Sequence, residues 1–394
     1  MINTAKQYDV VIVGGAMVGA SLALSLQKLA PKLTLAVIEA QTLGAAHPGF
    51  DSRAIAVNHA SVDWLQRMQI WSYLDANATL IKDINVSDRG HFGMADMAAK
   101  RWQLNYFGQV IGLADAGYQL YRGLASHPKI SLYCPAKVVA CTVTQDSHDL
   151  TLDDGNTISA KLVVAADGLH SQIRQQLTLP LEQVSFGQSG LIATLTMDRP
   201  HHNKAYERFT EYGPLALLPM GDKKMSMVWA MTSEQLQQVE AMDDKQLLTA
   251  IQKAFGFRAG IIEQIQSKAS YPLMLSSMTR TIYHRTVFVG NAAQTLHPIA
   301  GQGFNLGLRD IKALSHIIAE AFNAGADVGA NHVLHEYWQQ RQQDRNNTIS
   351  AIETLVRGFS NDYLPLVAGR NCTLRLLAWL PQLQTPLVSK ATGY

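Results

Sequence analysis

Two kinds of hydrophobic pattern divide the sequence. Continuous apolar runs, each leading into small or polar residues, predict buried strands. These runs lie near residues 8–13, 34–38, 162–166 and 286–289. Alternating apolar and polar residues at 190–196 and 225–229 predict an antiparallel sheet, and the helical spacing of 234–255 places helical material on it. Helical spacing also appears at 20–29, 306–319 and 374–380.

The order of these patterns predicts an α/β fold with discontinuous domains. A chain of 394 residues is long enough for two domains. We expect a Rossmann-like domain formed by residues 1–75, 105–180 and 281–320. An antiparallel-sheet domain from residues 76–104 and 181–280 would be inserted into it. Residues 321–394 would then form a C-terminal helical region.

A glycine-rich turn joins the first predicted strand to the first predicted helix. Strand, turn, helix and second strand follow one another, and an acidic residue ends the second strand. This arrangement is typical of dinucleotide binding, although Ala16 replaces the middle glycine of G-x-G-x-x-G. Many α/β folds start in a similar way, so the motif alone is weak to moderate. Its candidate binding residues are Gly14, Gly15, Ala16, Met17, Gly19 and Glu39.

A second small-residue loop lies between the apolar run at 286–289 and the helix predicted from Leu306. Small residues let the backbone approach a flat ligand, and helix N-terminal N–H groups suit a ligand that becomes anionic. An ordinary glycine-rich turn is the alternative. The candidate contacts are Asn291, Pro298, Gly301, Gln302, Gly303, Phe304 and Asn305. His297 could relay a proton in this loop, but a packing role is favoured.

Two shorter motifs complete the set. Asp167 and Gly168 follow a buried strand and precede a helix start, and Arg53 precedes the apolar run at 54–57. The alternatives are a capping role for Asp167 and a solvated surface position for Arg53.

Together these motifs resemble the class A flavoprotein aromatic hydroxylases, in family order and with family spacing over most of the chain. The family pattern G-D-A-A-H…P…G-Q-G-x-N-x-G-x-x-D is matched except that Asn291 replaces the aspartate and Gln294 the histidine. An asparagine can still accept a hydrogen bond through its amide oxygen. This Asn and Gln pair resembles the branch of 2-polyprenyl-6-methoxyphenol hydroxylases of ubiquinone biosynthesis.

The resemblance implies a catalytic cofactor rather than an acid–base constellation of side chains. The Rossmann-like domain would hold non-covalent FAD, and the inserted domain would hold the substrate. NADH or NADPH would bind transiently as reductant, and O2 would be the co-substrate. The reduced flavin would form a C4a-hydroperoxide that hydroxylates an electron-rich phenol ring in a dry pocket. We expect no catalytic side chain and no metal.

The substrate prediction rests on the apolar segment after Gly213. Leu217, Leu218 and Pro219, with Pro298 from the second loop, are the expected pocket residues, and the segment offers no arginine for a carboxylate. These residues favour an uncharged, apolar ring, although plain sheet core is an equal alternative. The resemblance implies that this ring is a polyprenylated phenol. Other functions left open are hydroxylation of another apolar aromatic, a flavin oxidase or reductase without oxygen transfer, and a non-catalytic member of a biosynthetic complex.

Composition argues against several other classes of protein. Hydrophobic residues make up 47% of the chain, and the net charge of +2 offers no electrostatic case for nucleic acid. Cys134, Cys141 and Cys372 have no metal spacing, and no apolar run has the length of a membrane span. Met1–Tyr8 lacks a signal-like pattern. We expect a cytoplasmic protein, with peripheral membrane contact left open. The resemblance also leaves open a complex with other ubiquinone-biosynthesis proteins.

Overall fold

The computed structural model describes residues 6–42, 53–90, 93–210, 213–297, 301–359 and 364–394. Its strands are β1 (Lys6–Val13), β2 (Leu35–Ile38), β3 (Ala54–Asn58), β4 (Thr79–Ile81), β5 (Asp83–Asp88), β6 (Met94–Ala98), β7 (Gly108–Gly112), β8 (Ile130–Tyr133), β9 (Val138–Val143), β10 (His148–Leu152), β11 (Thr157–Ala165), β12 (Glu182–Met197), β13 (Lys204–Phe209), β14 (Pro214–Met220), β15 (Lys224–Thr232), β16 (Ile262–Ser277), β17 (Ile282–Tyr283), β18 (Thr286–Phe288) and β19 (Gln294–Thr295). Its helices are α1 (Met17–Leu29), α2 (His59–Arg67), α3 (Leu113–Ala125), α4 (Gln172–Gln176), α5 (Ser233–Glu240), α6 (Asp244–Phe255), α7 (Gln302–Asn323), α8 (Asn331–Phe359), α9 (Leu364–Trp379) and α10 (Thr385–Thr392).

The first sheet has a parallel centre, as the continuous apolar runs predict. Its strand order is β17-β18-β11-β1-β2-β8, with β10 and β9 added at one end of β11. Val11 of β1 lies opposite Val163 of β11 and Ala36 of β2, and these three side chains are fully buried. Helices α1, α3 and α7 cover one face of this sheet, and β9, β10 and α4 pack on the other. Because both faces are buried, its strands have no polar alternation. The carboxyl ends of β1, β2 and β11 carry the candidate motifs.

The second sheet has eight strands in the order β19-β16-β12-β15-β14-β13-β5-β6. Its pairs are antiparallel except that β13 runs parallel to β5. Helices α5 and α6 cover one face, where Trp229 and Phe255 are almost completely buried. The α/β fold with an inserted antiparallel sheet is thus confirmed, with one parallel pair that the alternation did not predict.

Strands β3, β7 and β4 form a separate three-stranded sheet in the order β3-β7-β4. Strand β4 falls in a range predicted for the inserted domain, yet it pairs with β7. The exact domain boundaries stay a prediction.

The C-terminal helices cover the edge of the second sheet. Asn371 of α9 accepts a hydrogen bond from the Gly93 N–H at 2.7 Å and donates to Asp88 Oδ2 at 2.7 Å. A side chain at position 93 would place its Cβ 2.4 Å from Asn371 Oδ1, so the glycine permits this close approach. None of the helices in the described ranges combines the length and apolar character that a bilayer crossing requires.

Candidate active site

One large cavity, with a volume of about 2250 Å³, collects residues from both large sheets, from the three-stranded sheet and from the C-terminal helices. Pockets for single drug-sized ligands have volumes of roughly 300–1,000 Å³. The cavity therefore has room for a large cofactor and a second ligand. Its predicted lining residues are Gly14, Ala16, Met17, Glu39, Arg53, Asp167, Gly168, Asn291, Gly301, Gln302, Gly303, Phe304, Asn305 and Leu218.

The turn after β1 is shaped by two close backbone contacts. Gly14 has a φ of +102°, and a Cβ there would lie 2.4 Å from the Ala166 carbonyl oxygen. A Cβ at Gly19 would lie 1.9 Å from the Gly14 carbonyl oxygen, so this glycine permits helix-on-strand packing and does not line the cavity. Ala16, the N-cap of α1, provides no side-chain cap. The first N–H groups of α1 are therefore available to a ligand beside Ala16 and Met17.

Glu39 follows β2 and reaches back to this turn. It is 5% exposed, and its Oε2 accepts a hydrogen bond from the Gly15 N–H at 2.6 Å. Its Oε1 accepts from the Gln41 N–H at 2.8 Å. Gly15 thus donates its N–H to the Glu39 carboxylate and does not line the cavity. A carboxylate oxygen can accept more than one hydrogen bond, so Glu39 can also accept from a ligand hydroxyl in the cavity.

The second small-residue loop ends at another uncapped helix. Gly301, with a φ of +59°, is the N-cap of α7 and provides no side-chain cap. A Cβ at Gly303 would meet nothing within 4 Å, so open space lies beside the first turn. The Asn305 side chain donates to the Ala56 and Gly301 carbonyl oxygens and accepts from the Asn58 N–H. It braces the loop against β3 and also lines the cavity, so its contact with the cofactor stays a prediction.

Asp167 and Arg53 line the same cavity. Asp167 Oδ2 accepts from the Gln172 and Ile173 N–H groups at 2.8 and 3.3 Å, so it caps α4 as the alternative held. Its buried Oδ1 has no partner in the described part of the chain, and burial raises the pKa of this carboxyl. Arg53 lies over the Tyr271 ring, with 5.5 Å between the guanidinium carbon and the ring centroid. It is half-buried rather than solvated on the surface.

Asn291 is exposed to the cavity in a short 3₁₀ turn, Gly290–Ala292. Gln294, the other departure from the resembling family, does not reach the cavity. Its Nε2 donates to Asp310 Oδ2 at 2.7 Å, and its Oε1 accepts from Arg345 Nε at 2.7 Å.

A buried clamp formed by Gln294, Asp310, Arg341 and Arg345 joins the loop to α8. Arg341 Nε donates to Asp310 Oδ1 at 2.9 Å, and all four side chains are less than 8% exposed. The motif residue Asp310 therefore fixes the loop to a helix rather than binding a ligand. Sequence reasoning missed this clamp because its arginines lie in a region with no recognised motif.

His297 is 1% exposed and packs edge-on against Phe186, with ring centroids 5.8 Å apart. Burial lowers its pKa to about 4, so the imidazole is neutral at physiological pH. This environment supports the packing role that the sequence favoured.

The segment expected to contact the substrate alternates across β14. Ala216 and Leu218 line the cavity, whereas Leu217 is completely buried on the opposite face with Met227 and Ile251. Pro219 shares the face of Leu217 and does not line the cavity. The assignment of Leu217 and Pro219 to the pocket is thereby corrected, because strand side chains alternate between faces. Pro298 lies outside the described residues.

Sequence reasoning also missed Glu207 of β13, which lines the cavity on the same face as Leu218. The sequence pattern could have revealed it. One face of this strand carries Ala205, Glu207 and Phe209, so a carboxylate stands between two apolar residues on that face.

The cavity fits FAD at the end formed by the first sheet. Two uncapped helix N-termini open into one cavity, and the positive ends of their dipoles suit a pyrophosphate and the anionic edge of a reduced flavin. In contrast, Asn58, Thr232 and Asp243 cap helices α2, α5 and α6 with their own side chains. The orphaned Asp167 Oδ1 and the buried Glu39 carboxylate add polar partners at this end.

Comparison with known proteins agrees with this geometry. Residues 7–350 match the family described as "FAD binding domain". A ubiquinone hydroxylase, UbiL, of Rhodospirillum rubrum is 31% identical over 98% of this chain and 90% of its own. The 3-demethoxyubiquinol 3-hydroxylase of Escherichia coli is 30% identical over 94% of this chain and 95% of its own. The crystal structure of p-nitrophenol 4-monooxygenase PnpA from Pseudomonas putida superposes with a TM-score of 0.81 at 17% identity, covering 98% of this chain and 99% of that one.

The chain therefore belongs to the FAD-binding family of flavin-dependent aromatic monooxygenases. Within that family it belongs to the branch of the ubiquinone-biosynthesis hydroxylases, as the Asn and Gln pair predicted.

Proposed function

We propose that this enzyme hydroxylates the ring of a polyprenylated phenol, a lipid precursor of ubiquinone, with NADH or NADPH as reductant and O2 as co-substrate. The observation that carries the proposal is the shape of the cavity. Its lining extends from the second sheet to the C-terminal segments, and there the lining residues Leu355, Leu383 and Leu387 are also exposed to solvent, so we infer a mouth at this end. A ring can occupy the interior while an apolar tail leaves through this mouth.

Each region of the cavity has a distinct task in this proposal. The α1 N-terminus would hold the pyrophosphate, and Glu39 would accept a hydrogen bond from the adenosine ribose. The α7 N-terminus at Gly301–Gly303 would face the flavin ring edge that becomes anionic on reduction. Asn291, Asp167 and Arg53 would contact the ribityl and diphosphate portions. When bound and reduced, FAD supplies the electrons and transfers one oxygen atom from O2 to the ring.

The apolar substrate end protects this chemistry from water. Val86, Ala216, Leu218 and Val228 line it from the second sheet. An apolar wall excludes water that would divert the oxidant into peroxide. Arg208, the arginine of β13, donates instead to the Ala254 carbonyl oxygen on the helical face. The described cavity face of this sheet therefore offers no arginine to a benzoate-type substrate.

The C-terminal region also carries three exposed apolar side chains that do not line the cavity, those of Leu376, Trp379 and Leu380. They would cover the emerging tail or meet a partner that delivers the lipid. The expected complex with other ubiquinone-biosynthesis proteins remains a prediction that these exposed residues support.

The test compares substrates on the purified, FAD-loaded enzyme. We would measure NADH and NADPH oxidation, and by mass spectrometry the incorporation of oxygen from ¹⁸O2, with phenols bearing no, one or several prenyl units. We expect one labelled oxygen per product and turnover that rises with tail length. Fastest turnover on a small carboxylated ring would contradict the lipid substrate. Reductant oxidation without labelled product from any phenol would contradict the monooxygenase function.

A further inference from the structure

We propose that Glu207 is a catalytic base that takes the phenolic proton from the substrate during hydroxylation. The inference rests on the proposed function, because it requires a phenol in the apolar end of the cavity. It assigns a chemical role to a side chain where the cofactor motifs and the family resemblance assign none.

The position of Glu207 on the second sheet isolates it from other polar groups. Across the sheet, Glu207 lies opposite Val86 of β5 on one side and Ala216 of β14 on the other. The row continues with Ala95 of β6 beyond Val86 and Val228 of β15 beyond Ala216. All four neighbours in the row line the cavity. Glu207 is thus a single carboxylate in the middle of an apolar wall.

Neighbours along the strand extend the same environment. Ala205 and Phe209, two residues before and after Glu207, share its face and also line the cavity. Among the cavity-lining residues that the described part of this sheet contributes, Glu207 carries the only charge. Burial raises the pKa of this carboxyl to about 7, with no contribution from a charged neighbour. A carboxyl with that pKa is half-ionised near neutral pH and suited to accept a proton.

The other carboxylates that line the cavity all have structural partners. Glu39 accepts from two backbone N–H groups, and Asp167 caps α4. Asp344 is paired with Arg309 and Arg341. Glu207, in contrast, makes no hydrogen bond or ion pair with any part of the chain that the structure describes.

A structural explanation for Glu207 is therefore weak. Glu207 is half-buried and faces the cavity. A carboxylate that an apolar wall desolvates without supplying a hydrogen bond destabilises the fold. Unpaired groups with shifted pKa values inside clefts are typical of functional sites. The partner that the fold does not supply is, in our proposal, the hydroxyl of the bound phenol.

In the proposed transfer, Glu207 acts first as a base and then as an acid. The O–H bond of the phenol breaks, its proton moves to a Glu207 oxygen, and the electron pair stays on the phenol oxygen. That pair makes the ring more electron-rich as a ring carbon bonds to a hydroxyl group derived from O2. The O–O bond breaks in this step, and its electron pair stays with the oxygen that would remain with the bound cofactor and that leaves as water after taking up a proton. The ring carbon then loses its hydrogen as a proton to water. Glu207 returns its proton to the former phenol oxygen, so the carboxylate is regenerated and the aromatic ring restored.

Other titratable groups near the cavity could also affect how turnover depends on pH. Asp88 lies further along β5 on the same sheet face and is bonded to Asn371. The remaining titratable side chains of the described cavity lining are Glu39, Arg53, Lys137, Asp167, His170, Tyr206, Tyr271, Arg309, Asp344, Lys390 and Tyr394. None of them contributes to the pKa shift of Glu207. A limb near pH 7 that depends on residue 207 would therefore identify this carboxyl.

The decisive experiment compares the FAD-loaded wild type with Glu207→Gln, Glu207→Asp and the control Glu263→Gln, with 2-prenylphenol as probe. Glu263 is an exposed carboxylate of β16 outside the cavity. We expect Glu207→Gln to lower kcat by about 10²–10⁴-fold while KM and FAD affinity change little. In the wild type, kcat/KM should rise with pH through about 7, and this limb should disappear in Glu207→Gln. Glu207→Asp should keep the limb at a reduced rate, and Glu263→Gln should match the wild type.

A second probe separates a base from a positioning role. A ring-fluorinated 2-prenylphenol ionises at lower pH and needs less help from a base. We expect the ratio of wild-type to Glu207→Gln turnover to shrink on this probe by tenfold or more. An unchanged ratio, or a Glu207→Gln variant with wild-type kcat and pH limb, would overturn the role of Glu207. If instead the wild type hydroxylates no phenol while retaining FAD, the proposed function fails, independently of residue 207.

Discussion

The two ends of the cavity differ in how they treat polar groups. At the cofactor end, the carboxylates of Glu39 and Asp167 are held by backbone N–H groups and two helix N-termini stay open. At the substrate end, Glu207 stands alone among aliphatic and aromatic side chains. The first end is organised in advance around a permanent ligand. The substrate end leaves one polar group without a hydrogen bond until a transient ligand binds. In our proposal this group lowers the stability of the fold but takes part in the reaction.

The largest expected effect concerns the clamp that supports the cofactor end. Arg341→Met removes one partner of the buried Asp310, so the free energy of unfolding should fall by about 3–5 kcal/mol. Urea-induced unfolding of the FAD-loaded protein measures this loss. Arg67→Met, which breaks an exposed ion pair with Asp63, should change stability by less than about 1 kcal/mol. An equal loss of unfolding free energy in both variants would show that the buried clamp contributes no more to stability than an exposed ion pair.

The next prediction tests whether the polar contacts of the cofactor end act on the ligand. Glu39→Ala should weaken FAD binding by roughly 1–3 kcal/mol, because it removes a charge-assisted acceptor and frees the Gly15 N–H. Flavin fluorescence during titration with FAD gives the affinity. Glu263→Ala is the matched control on an exposed glutamate. Wild-type affinity in Glu39→Ala would place the adenosine ribose elsewhere.

The unsatisfied group of the substrate end should be visible in stability as well as in rate. The folded-state pKa of Glu207 is about 7, above the usual 4.5, so the folded protein binds this proton more tightly than the unfolded chain. Its contribution to stability is fully present below pH 4.5 and is lost as pH rises through 7.

Glu207→Gln should therefore be more stable than the wild type by about 1–3 kcal/mol at pH 8, with little difference at pH 5. Urea unfolding at the two pH values measures the change. A Glu207→Gln variant that is less stable at pH 8 would mean that the carboxylate has a structural partner after all.

The smallest effect is expected at Asn291. Its exposed side chain makes no contact within the described residues that a carboxylate would disrupt. Asn291→Asp should keep FAD affinity within about threefold of the wild type, since one oxygen acceptor replaces another. The same fluorescence titration applies. A tenfold loss would indicate that the asparagine donates to the ligand through its nitrogen.

The contrast between the two ends also explains what the sequence could reveal. At the cofactor end, backbone geometry restricts residue type: Gly14 and Gly19 cannot carry a Cβ, and the sequence displays them as a motif. Glu39 was identified because it ends a strand at a fixed place in that motif. The parallel and antiparallel sheets followed from continuous and alternating apolar patterns.

Residues that act through long-range contacts were not predictable. The parallel pairing of β13 with β5 sets Glu207 beside Val86, and these positions are far apart in the sequence. Leu217 was placed in the pocket because an apolar strand does not reveal which face meets the cavity. Arg341 and Arg345 join Asp310 and Gln294 only after α8 packs on the first domain.

The clamp has a consequence for how this branch can change over evolutionary time. Gln294 satisfies Asp310 with one end of its amide and Arg345 with the other, while Arg341 holds the second oxygen of Asp310. Any one substitution leaves a buried charge or amide without its partner, so we expect these four positions to change together rather than singly. A glutamine placed at the position of Gln294 in a relative whose α8 lacks the two arginines should therefore lower stability without a direct effect on the cavity, which Gln294 does not line.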